Sequence, residues 1–168
     1  MNRIMIIGCC GSGKSTLARK MGQLLELPVI HLDQHYWQSN WVETPTTQWT
    51  ETVQQLSDQP SWIIDGNYGG TMDIRTARAD TIIYLDYPTI TCLWRITKRI
   101  CQYHGKVRPD MPEGCRERFD VDFYHYVLTY NMLRRKKLIK KCANLQEKKR
   151  VLILKSDHEI NRFIQQLV

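Results

Sequence analysis

A run of eight residues near the beginning of the chain, Gly8 to Ser15, reads GCCGSGKS and matches the Walker A pattern GxxxxGK[ST]. Such a loop turns backbone N–H groups toward phosphate oxygens, and the helix that follows adds the positive end of its dipole. Lys14 would reach the β- and γ-phosphates, and the Ser15 hydroxyl would bind Mg²⁺. The sequence therefore predicts binding of ATP or another nucleoside triphosphate with Mg²⁺, through Gly8, Gly11, Ser12, Gly13, Lys14, Ser15 and Thr16.

Carboxylates follow two apolar runs that are predicted to be buried strands. Asp33 follows the second predicted strand, and Asp65 ends the third. Because ligands bind at the carboxyl ends of parallel strands, both side chains are expected at one site. We expect Asp65 to orient water on Mg²⁺. The alternative is an Asp that caps the turn before Gly66.

Arginines occur where a phosphoryl-transfer site would need positive charge. Arg95 and Arg99 are four residues apart and share one face of a predicted helix, as residues of a solvated basic face also would. Residues 104–120 lack helical periodicity, contain glycine and proline, and are predicted to be a mobile basic lid loop that excludes water and stabilises charge. The lid candidates are Arg108, Arg116 and Arg118. The catalytic set predicted for the whole chain is Lys14, Asp33, Arg95, Arg99, Arg116 and Arg118.

The segment 33–60 is rich in Trp, Gln and Thr and is predicted to be an excursion from the sheet on the acceptor side, with one helix from about Thr46. Its aromatic residues would form a pocket for a base or ring, or would cover the core. Arg75 would contact an anionic acceptor, or form a salt bridge with Asp73 or Asp80. The predicted acceptor-binding residues are Asp33, Trp37, Asp65, Asn67, Tyr68 and Arg75.

Apolar runs alternate with helical patterns along the chain. The predicted strands lie at 3–7, 29–32, 62–65, 81–86 and 151–154, and the helices between them include a long one at about 121–145. This alternation is typical of a three-layer α/β/α fold with a mainly parallel five-stranded sheet. The chain of 168 residues has the length of one domain, and residues 1–168 are predicted to form it.

Positive charge is concentrated late in the chain. Residues 95–150 contain sixteen Lys and Arg against six Asp and Glu, in a chain of formal net charge +7. The basic run, defined here as Arg134, Arg135, Lys136, Lys137, Lys140 and Lys141, would suit the phosphate backbone of DNA. Because leucine and isoleucine interrupt it, an amphipathic helix with a solvated basic face is the alternative.

The cysteines and the length of the apolar runs bear on where in the cell the protein is expected. Six cysteines show no paired metal-binding spacing, and two of them, Cys9 and Cys10, lie inside the phosphate loop. We therefore expect free thiols in a reducing cytoplasm. The apolar runs are much shorter than the ~20 residues of a membrane span, so no membrane partner is expected.

Several strings outside the phosphate loop resemble one group of bacterial proteins. They are HLD at 31–33, WIIDGNY at 62–68, ADTIIYLD at 79–86 and EGCRERFD at 113–120. With the phosphate loop, they make the chain similar to the adenylate-kinase-like P-loop kinases, and within these to the FlaR-type proteins labelled DNA topology modulation protein. The resemblance covers nearly the whole chain and implies an adenylate-kinase-like fold with a short closing lid. It also implies that Arg95 and Arg99 point at the triphosphate, and that Asp33 accepts a proton from an acceptor hydroxyl instead of making a structural hydrogen bond.

The chain departs from adenylate kinase itself after Asp65-Gly66. Adenylate kinases continue with Phe-Pro-Arg and use that arginine on the acceptor phosphate, whereas Asn67 and Tyr68 stand here. This departure argues against a nucleoside monophosphate acceptor. We expect an ATP- and Mg²⁺-dependent phosphotransferase that acts on an unidentified small molecule. The alternatives are a nucleotide-responsive protein that binds DNA or modulates its topology, and an NTPase without an acceptor.

Overall fold

A parallel sheet organises the computed structural model, which describes residues 1–167. The strands of this part of the chain are β1 (Arg3–Gly8), β2 (Val29–His31), β3 (Trp37–Gln38), β4 (Val42–Glu43), β5 (Trp62–Asp65), β6 (Thr81–Leu85) and β7 (Arg150–Leu154). Five of them form the sheet in the order β2-β5-β1-β6-β7, with every neighbouring pair parallel. The predicted domain extends to Val168, which lies outside the described residues.

Helices cover both faces of this sheet. They are α1 (Lys14–Leu25), α2 (Leu32–Tyr36), α3 (Thr46–Asp58), α4 (Met72–Arg78), α5 (Thr89–Tyr103), α6 (Val121–Tyr130), α7 (Lys136–Leu145) and α8 (Asp157–Gln165). Every residue of β5 and β6 is buried, as expected for central parallel strands that are packed on both sides. The predicted three-layer α/β architecture is therefore confirmed.

The parallel arrangement brings the functional segments to one edge of the sheet. β1 runs directly into the phosphate loop, while β2 and β5 end at His31 and Asp65, which are partners in the strand register. Since all these strands point the same way, the residues that follow them meet beside the phosphate loop.

The acceptor-side segment 33–60 is more structured than the sequence predicts. The predicted helix is present as α3, but the short α2 and the antiparallel hairpin of β3 and β4 precede it. Asn40 and Trp41 in the hairpin turn both have a φ of 63°. This left-handed turn has no glycine, which explains why turn composition did not predict it.

The helix predicted at 121–145 is present but not uniform. A wide turn of π type at Asn131–Arg135 separates α6 from α7. Asp120 caps the beginning of α6, because its carboxylate accepts a hydrogen bond of 3.0 Å from the backbone N–H of Phe123. None of the helices described here is both long enough and apolar enough to cross a membrane.

The lid loop 104–120 lacks helices and docks on the acceptor-side segment. Three side chains of that segment donate hydrogen bonds to lid carbonyls, in the pairs Gln34–Pro109 at 2.9 Å, Ser39–Glu113 at 3.1 Å and Trp41–Arg116 at 3.2 Å. The lid therefore lies against the acceptor side in this structure and closes one wall of the cleft described below.

Candidate active site

The phosphate loop has the backbone shape that its glycines predict. Gly11 and Gly13 have φ values of 81° and 97°, in the left-handed region that favours glycine. A Cβ on Gly11 would lie 2.4 Å from the carbonyl oxygen of Cys92, so α5 also limits this position to glycine. The helix after the loop begins at Lys14, so the last two residues of the Walker A run already belong to its first turn.

Lys14 and Asn67 fasten the beginning of this loop. The Lys14 ammonium donates to the carbonyl oxygens of Gly8 and Cys9, at 3.0 and 3.1 Å. The Asn67 side chain accepts from the Gly8 N–H at 3.1 Å and donates to the Gly8 carbonyl at 2.8 Å. Asn67, predicted to contact the acceptor, positions the phosphate loop in this structure.

A cleft of about 970 Å³ opens beside the loop. This volume lies at the upper end of the usual range for ligand sites and would accommodate a nucleotide with a small second molecule. The predicted site residues that line it are Gly11, Gly13, Lys14, Ser15, Thr16, Asp33, Trp37, Asp65, Asn67, Tyr68, Arg95 and Arg99. Ser12 is fully buried beneath the loop, and its hydroxyl has no hydrogen-bond partner among the described residues.

Asp33 is a carboxylate held by a tyrosine. The Tyr68 hydroxyl donates a hydrogen bond of 2.6 Å to it from 35 positions further along the chain. Burial raises the pKa of Asp33 above its usual value, although the Tyr68 hydrogen bond and the charge of Lys14 oppose this effect. A carboxyl group with a raised pKa beside a phosphate loop is suited to accept a proton.

Asp65 is paired with a residue for which the sequence predicts no role. Its carboxylate is 4% exposed and lies 2.7 Å from Nδ1 of His31, at the end of the neighbouring strand. Burial lowers the pKa of His31, but the hydrogen bond and charge of Asp65 outweigh burial, so the pKa of His31 is raised. The two residues meet because β2 and β5 are parallel neighbours, and only the sheet order of the folded chain makes them so.

The residues at this end of the cleft fit Mg²⁺. Asp65 and Ser15 both line the cleft and offer the hard oxygen donors that Mg²⁺ prefers. One Asp65 oxygen is engaged by His31, which leaves the other for a metal-bound water. Within residues 1–167, no three His, Cys, Asp or Glu side chains cluster to form a complete protein cage.

Arg95 and Arg99 both face the cleft and are both paired with carboxylates. The Arg95 guanidinium lies 2.7 Å from Asp157 at the beginning of α8, and also donates to the Ser12 carbonyl of the phosphate loop at 3.3 Å. Arg99 lies 2.9 Å from Glu117 of the lid. Both side chains are therefore held in place by ion pairs, unlike the side chains of a freely solvated basic face.

The lid contributes a different arginine from those assigned to catalysis. The side chains of Arg116 and Arg118 are exposed, and neither lines the cleft. Arg108 does line it, and its guanidinium lies 2.6 Å from Glu117 and 2.8 Å from Asp110. Arg108 therefore replaces Arg116 and Arg118 in the candidate site.

Glu117 joins the lid to α5. It is 5% exposed and pairs through one oxygen with Arg99 and through the other with Arg108. Two arginines 9 positions apart in the chain are thus held by one buried carboxylate. The sequence predicts no role for Glu117, because nothing in its local pattern indicates burial between two guanidinium groups.

Arg75 does not occupy the predicted contact with an anionic acceptor. Its side chain is fully buried, and its guanidinium donates to the carbonyl oxygens of Gly66, Asn67 and Tyr68, at 2.8, 2.5 and 3.1 Å. It does not line the cleft and forms neither of the predicted salt bridges. Arg75 instead holds the turn that carries Asn67 and Tyr68.

The aromatic residues divide into two groups. Tyr36, Trp49 and Tyr68 pack together with ring centroids 4.6 to 5.0 Å apart, so they support the acceptor side as a cluster. Trp37 stacks edge-on against this cluster and lines the cleft, whereas Trp41 bonds to the lid. Of the predicted pocket residues, Trp37 and Tyr68 therefore reach the cleft.

The basic run is divided between the cleft and the outer surface. Arg134, Lys137 and Lys141 line the cleft, while Arg135 pairs with Asp86 at 2.7 Å. Lys136 and Lys140 are exposed elsewhere on the same helix. Because its charges point in different directions, the run does not have the continuous basic face expected for DNA.

Comparison with known proteins supplies the fold relationship. No family model matches the chain, and no curated protein matches it in sequence. Among solved structures, shikimate kinase from Acinetobacter baumannii in complex with shikimate aligns with a TM-score of 0.63 and 14% identity, over 99% of this chain and 90% of that chain. A gluconokinase from Sinorhizobium meliloti 1021 aligns with a TM-score of 0.57 and 11% identity, over 99% and 89%.

A sugar kinase from Janibacter sp. HTCC2649 gives a TM-score of 0.52 and 14% identity, over 99% of this chain and 90% of that one. At such low identity these alignments bear on architecture alone. Together with the parallel sheet and the phosphate loop, they show that the chain has the kinase-like P-loop fold.

Proposed function

We propose that this chain is an ATP- and Mg²⁺-dependent phosphotransferase that acts on a hydroxyl group of a small molecule. The observation that carries the proposal is the presence of the Lys14 loop and the Asp33 carboxylate in the same cleft. A phosphate loop alone would suit hydrolysis or simple binding. A carboxylate that faces that loop and can accept the hydroxyl proton favours transfer to a hydroxyl.

The roles of the residues follow from their positions. The backbone of the phosphate loop and Lys14 would hold the triphosphate, with Lys14 exchanging its two carbonyl contacts for phosphate oxygens. Mg²⁺, when bound by Ser15 and through water by Asp65, neutralises charge on the phosphates. Arg95, Arg99 and Arg108 would stabilise the charge of the phosphoryl group during transfer.

In the reaction, a bond forms between the acceptor oxygen and the γ-phosphorus, and the bond from that phosphorus to the β–γ bridging oxygen breaks. Asp33 takes the hydroxyl proton, and ADP leaves. Within this proposal the segment 33–60 forms the acceptor side and the loop 104–120 forms the lid. Their direct hydrogen bonds support a coupling between acceptor binding and closure.

We include membership of the FlaR-type group in the same proposal. It is supported by the strings at 31–33, 62–68, 79–86 and 113–120, which supply Asp33, Asp65, Tyr68 and Glu117 to the candidate site. The label of that group refers to DNA topology, whereas the cleft favours chemistry on a small molecule.

The test is ADP release coupled to Mg-ATP across a panel of hydroxylated metabolites, nucleosides and nucleotides. We expect one class of acceptor to stimulate ADP release, and Lys14→Ala to reduce it by ~10²-fold or more because a charged phosphate contact is lost. Lys20→Ala, an exposed lysine of α1 outside the cleft, is the matched control. Unchanged turnover in Lys14→Ala, or no acceptor that stimulates ADP release, would contradict the proposal.

A further inference from the structure

Three cations of the basic run line the cleft but have no role in the proposed phosphoryl transfer. This row consists of Arg134, Lys137 and Lys141. Arg134 lies in the wide turn after α6, and Lys137 and Lys141 lie in α7. Spacings of three and four residues place the three side chains on one helical face. That face lines the cleft, in continuation of Tyr126 and Tyr130 from α6.

Two of these cations lack an acidic partner. Within residues 1–167, neither Arg134 nor Lys137 forms a salt bridge, whereas Arg95, Arg99 and Arg108 are each paired with carboxylates. The Arg134 guanidinium is instead held over the Tyr126 ring, 4.8 Å from its centroid. Both side chains are exposed to solvent where they line the cleft, and positive charge without an acidic partner attracts an anionic ligand there.

The row lies close to the turn that carries Asn67 and Tyr68. Lys141 pairs with Asp73 at the beginning of α4, a few residues after the turn that carries Asn67 and Tyr68. Tyr68 in turn bonds the proposed base Asp33. The triphosphate has its own cations in Lys14 and Arg95, which contact the phosphate loop directly. This separation favours a role for the row in binding the acceptor.

We propose that the acceptor carries an anionic group, a carboxylate or a phosphate monoester, in addition to the hydroxyl that is phosphorylated. Arg134 and Lys137 bind that group, and Lys141 borders it. This inference rests on the proposed function and narrows its substrate class. A neutral nucleoside or polyol is then a poor acceptor, because it gains no charged hydrogen bond from Arg134 or Lys137.

The experiment compares acceptors in matched pairs that differ by one anionic group. Gluconate is compared with glucitol, glycerate with glycerol, and AMP with adenosine, by kcat/KM in the coupled assay. We expect the anionic member of one pair to be preferred by ~10- to 100-fold, and the preferred pair distinguishes a carboxylate from a phosphate. Equal use of the neutral member would overturn the inference.

Variants then locate the selectivity. Arg134→Gln combined with Lys137→Gln should raise KM for the anionic acceptor by ~10- to 100-fold and leave KM for ATP unchanged. Lys136→Gln combined with Lys140→Gln removes the same charge from the same region outside the cleft and should change neither constant. A rise in KM for ATP alone, or equal effects of the two double variants, would overturn the assignment.

Failure of the proposed function would be distinguishable. If no acceptor stimulates ADP release, the anion site is tested without turnover. Calorimetric titration measures the binding of gluconate and of AMP to the Lys14→Ala protein. Binding that disappears when Arg134 and Lys137 are also replaced by Gln supports the site. No binding, or binding unaffected by those replacements, overturns it.

Discussion

The phosphate loop and the acceptor side of the cleft are built in different ways. The loop consists of consecutive residues, and its shape follows from backbone angles at positions such as Gly11 and Gly13. The acceptor side depends on side chains brought together over long distances, such as Asp33 with Tyr68 and Asp73 with Lys141, which are 35 and 68 positions apart. Substitutions should therefore separate nucleotide binding from acceptor chemistry.

The largest effect should come from the proposed base on the acceptor side. Asp33→Asn removes the proton acceptor and should lower kcat by ~10²- to 10⁴-fold, while KM for ATP stays unchanged. Asp122→Asn, the same substitution at an exposed position outside the cleft, is the control. Steady-state kinetics with the best acceptor provide the measurement, and a kcat near wild type in Asp33→Asn would rule out its role as base.

The next effect should come from the shape of the phosphate loop. In Gly11→Ala the new methyl group meets the Cys92 carbonyl, and the residue keeps a positive φ, so the free energy of unfolding should fall by roughly 3 kcal/mol. Gly105→Ala shares the positive φ but has no atom within 4 Å of its Cβ, and should lose only roughly 1 kcal/mol.

Urea denaturation measures both changes, and calorimetry should show weaker ATP binding in Gly11→Ala alone. Equal stability losses in the two variants would show that the contact with α5 is not what limits this position. Such a result would weaken the contrast between the phosphate loop, whose shape depends on backbone angles, and the acceptor side, which depends on side-chain contacts.

A smaller effect is expected at Glu117, which joins the lid to α5 between the cleft-lining arginines Arg99 and Arg108. Glu117→Gln removes the charge that holds Arg99 and Arg108, and a loss of about 1.5 kcal/mol of charged hydrogen bonding corresponds to roughly tenfold in kcat. Glu113→Gln, an exposed position in the same lid, is the matched control. Partial recovery in Glu117→Asp is expected if charge is what matters. Equal kcat in the two Gln variants would mean that Glu117 does not position the arginines.

The smallest effect should be a change in pH dependence. The Tyr68 hydroxyl stabilises the charged form of Asp33 and so lowers the pKa of that carboxyl. Tyr68→Phe should raise the pKa of Asp33 further and move the acid limb of the kcat/KM profile to higher pH. The plateau should fall by about tenfold or less. An acid limb that stays in place would show that it does not report Asp33.

The strands and main helices could be predicted because buried parallel strands are continuous apolar runs and the helices between them are amphipathic. The strand that ends at Asp65 begins and ends where the sequence predicts. The hairpin of β3 and β4 could not be predicted, because its turn uses Asn40 and Trp41 in a left-handed conformation where glycine would have been the signal.

The sequence also could not predict which arginine of the lid faces the cleft. Arg108, Arg116 and Arg118 have the same residue type in one irregular loop, so local pattern cannot rank them. Burial of Glu117 beside Arg99 selects Arg108, and this burial exists only once the lid has docked on α5 and the acceptor-side segment. In the same way, burial beneath the turn after β5 makes Arg75 a support for the backbone.

The sequence by itself determined the phosphate loop and the parallel α/β framework, since both follow from residues that are consecutive or regularly spaced. Tertiary structure alone decided which carboxylate meets which partner and toward which side the basic run turns. Those outcomes depend on helix phase and on the packing of segments remote in the chain. For that reason a triphosphate site can be predicted from eight residues, whereas the set of side chains that lines the cleft emerges only from the folded chain.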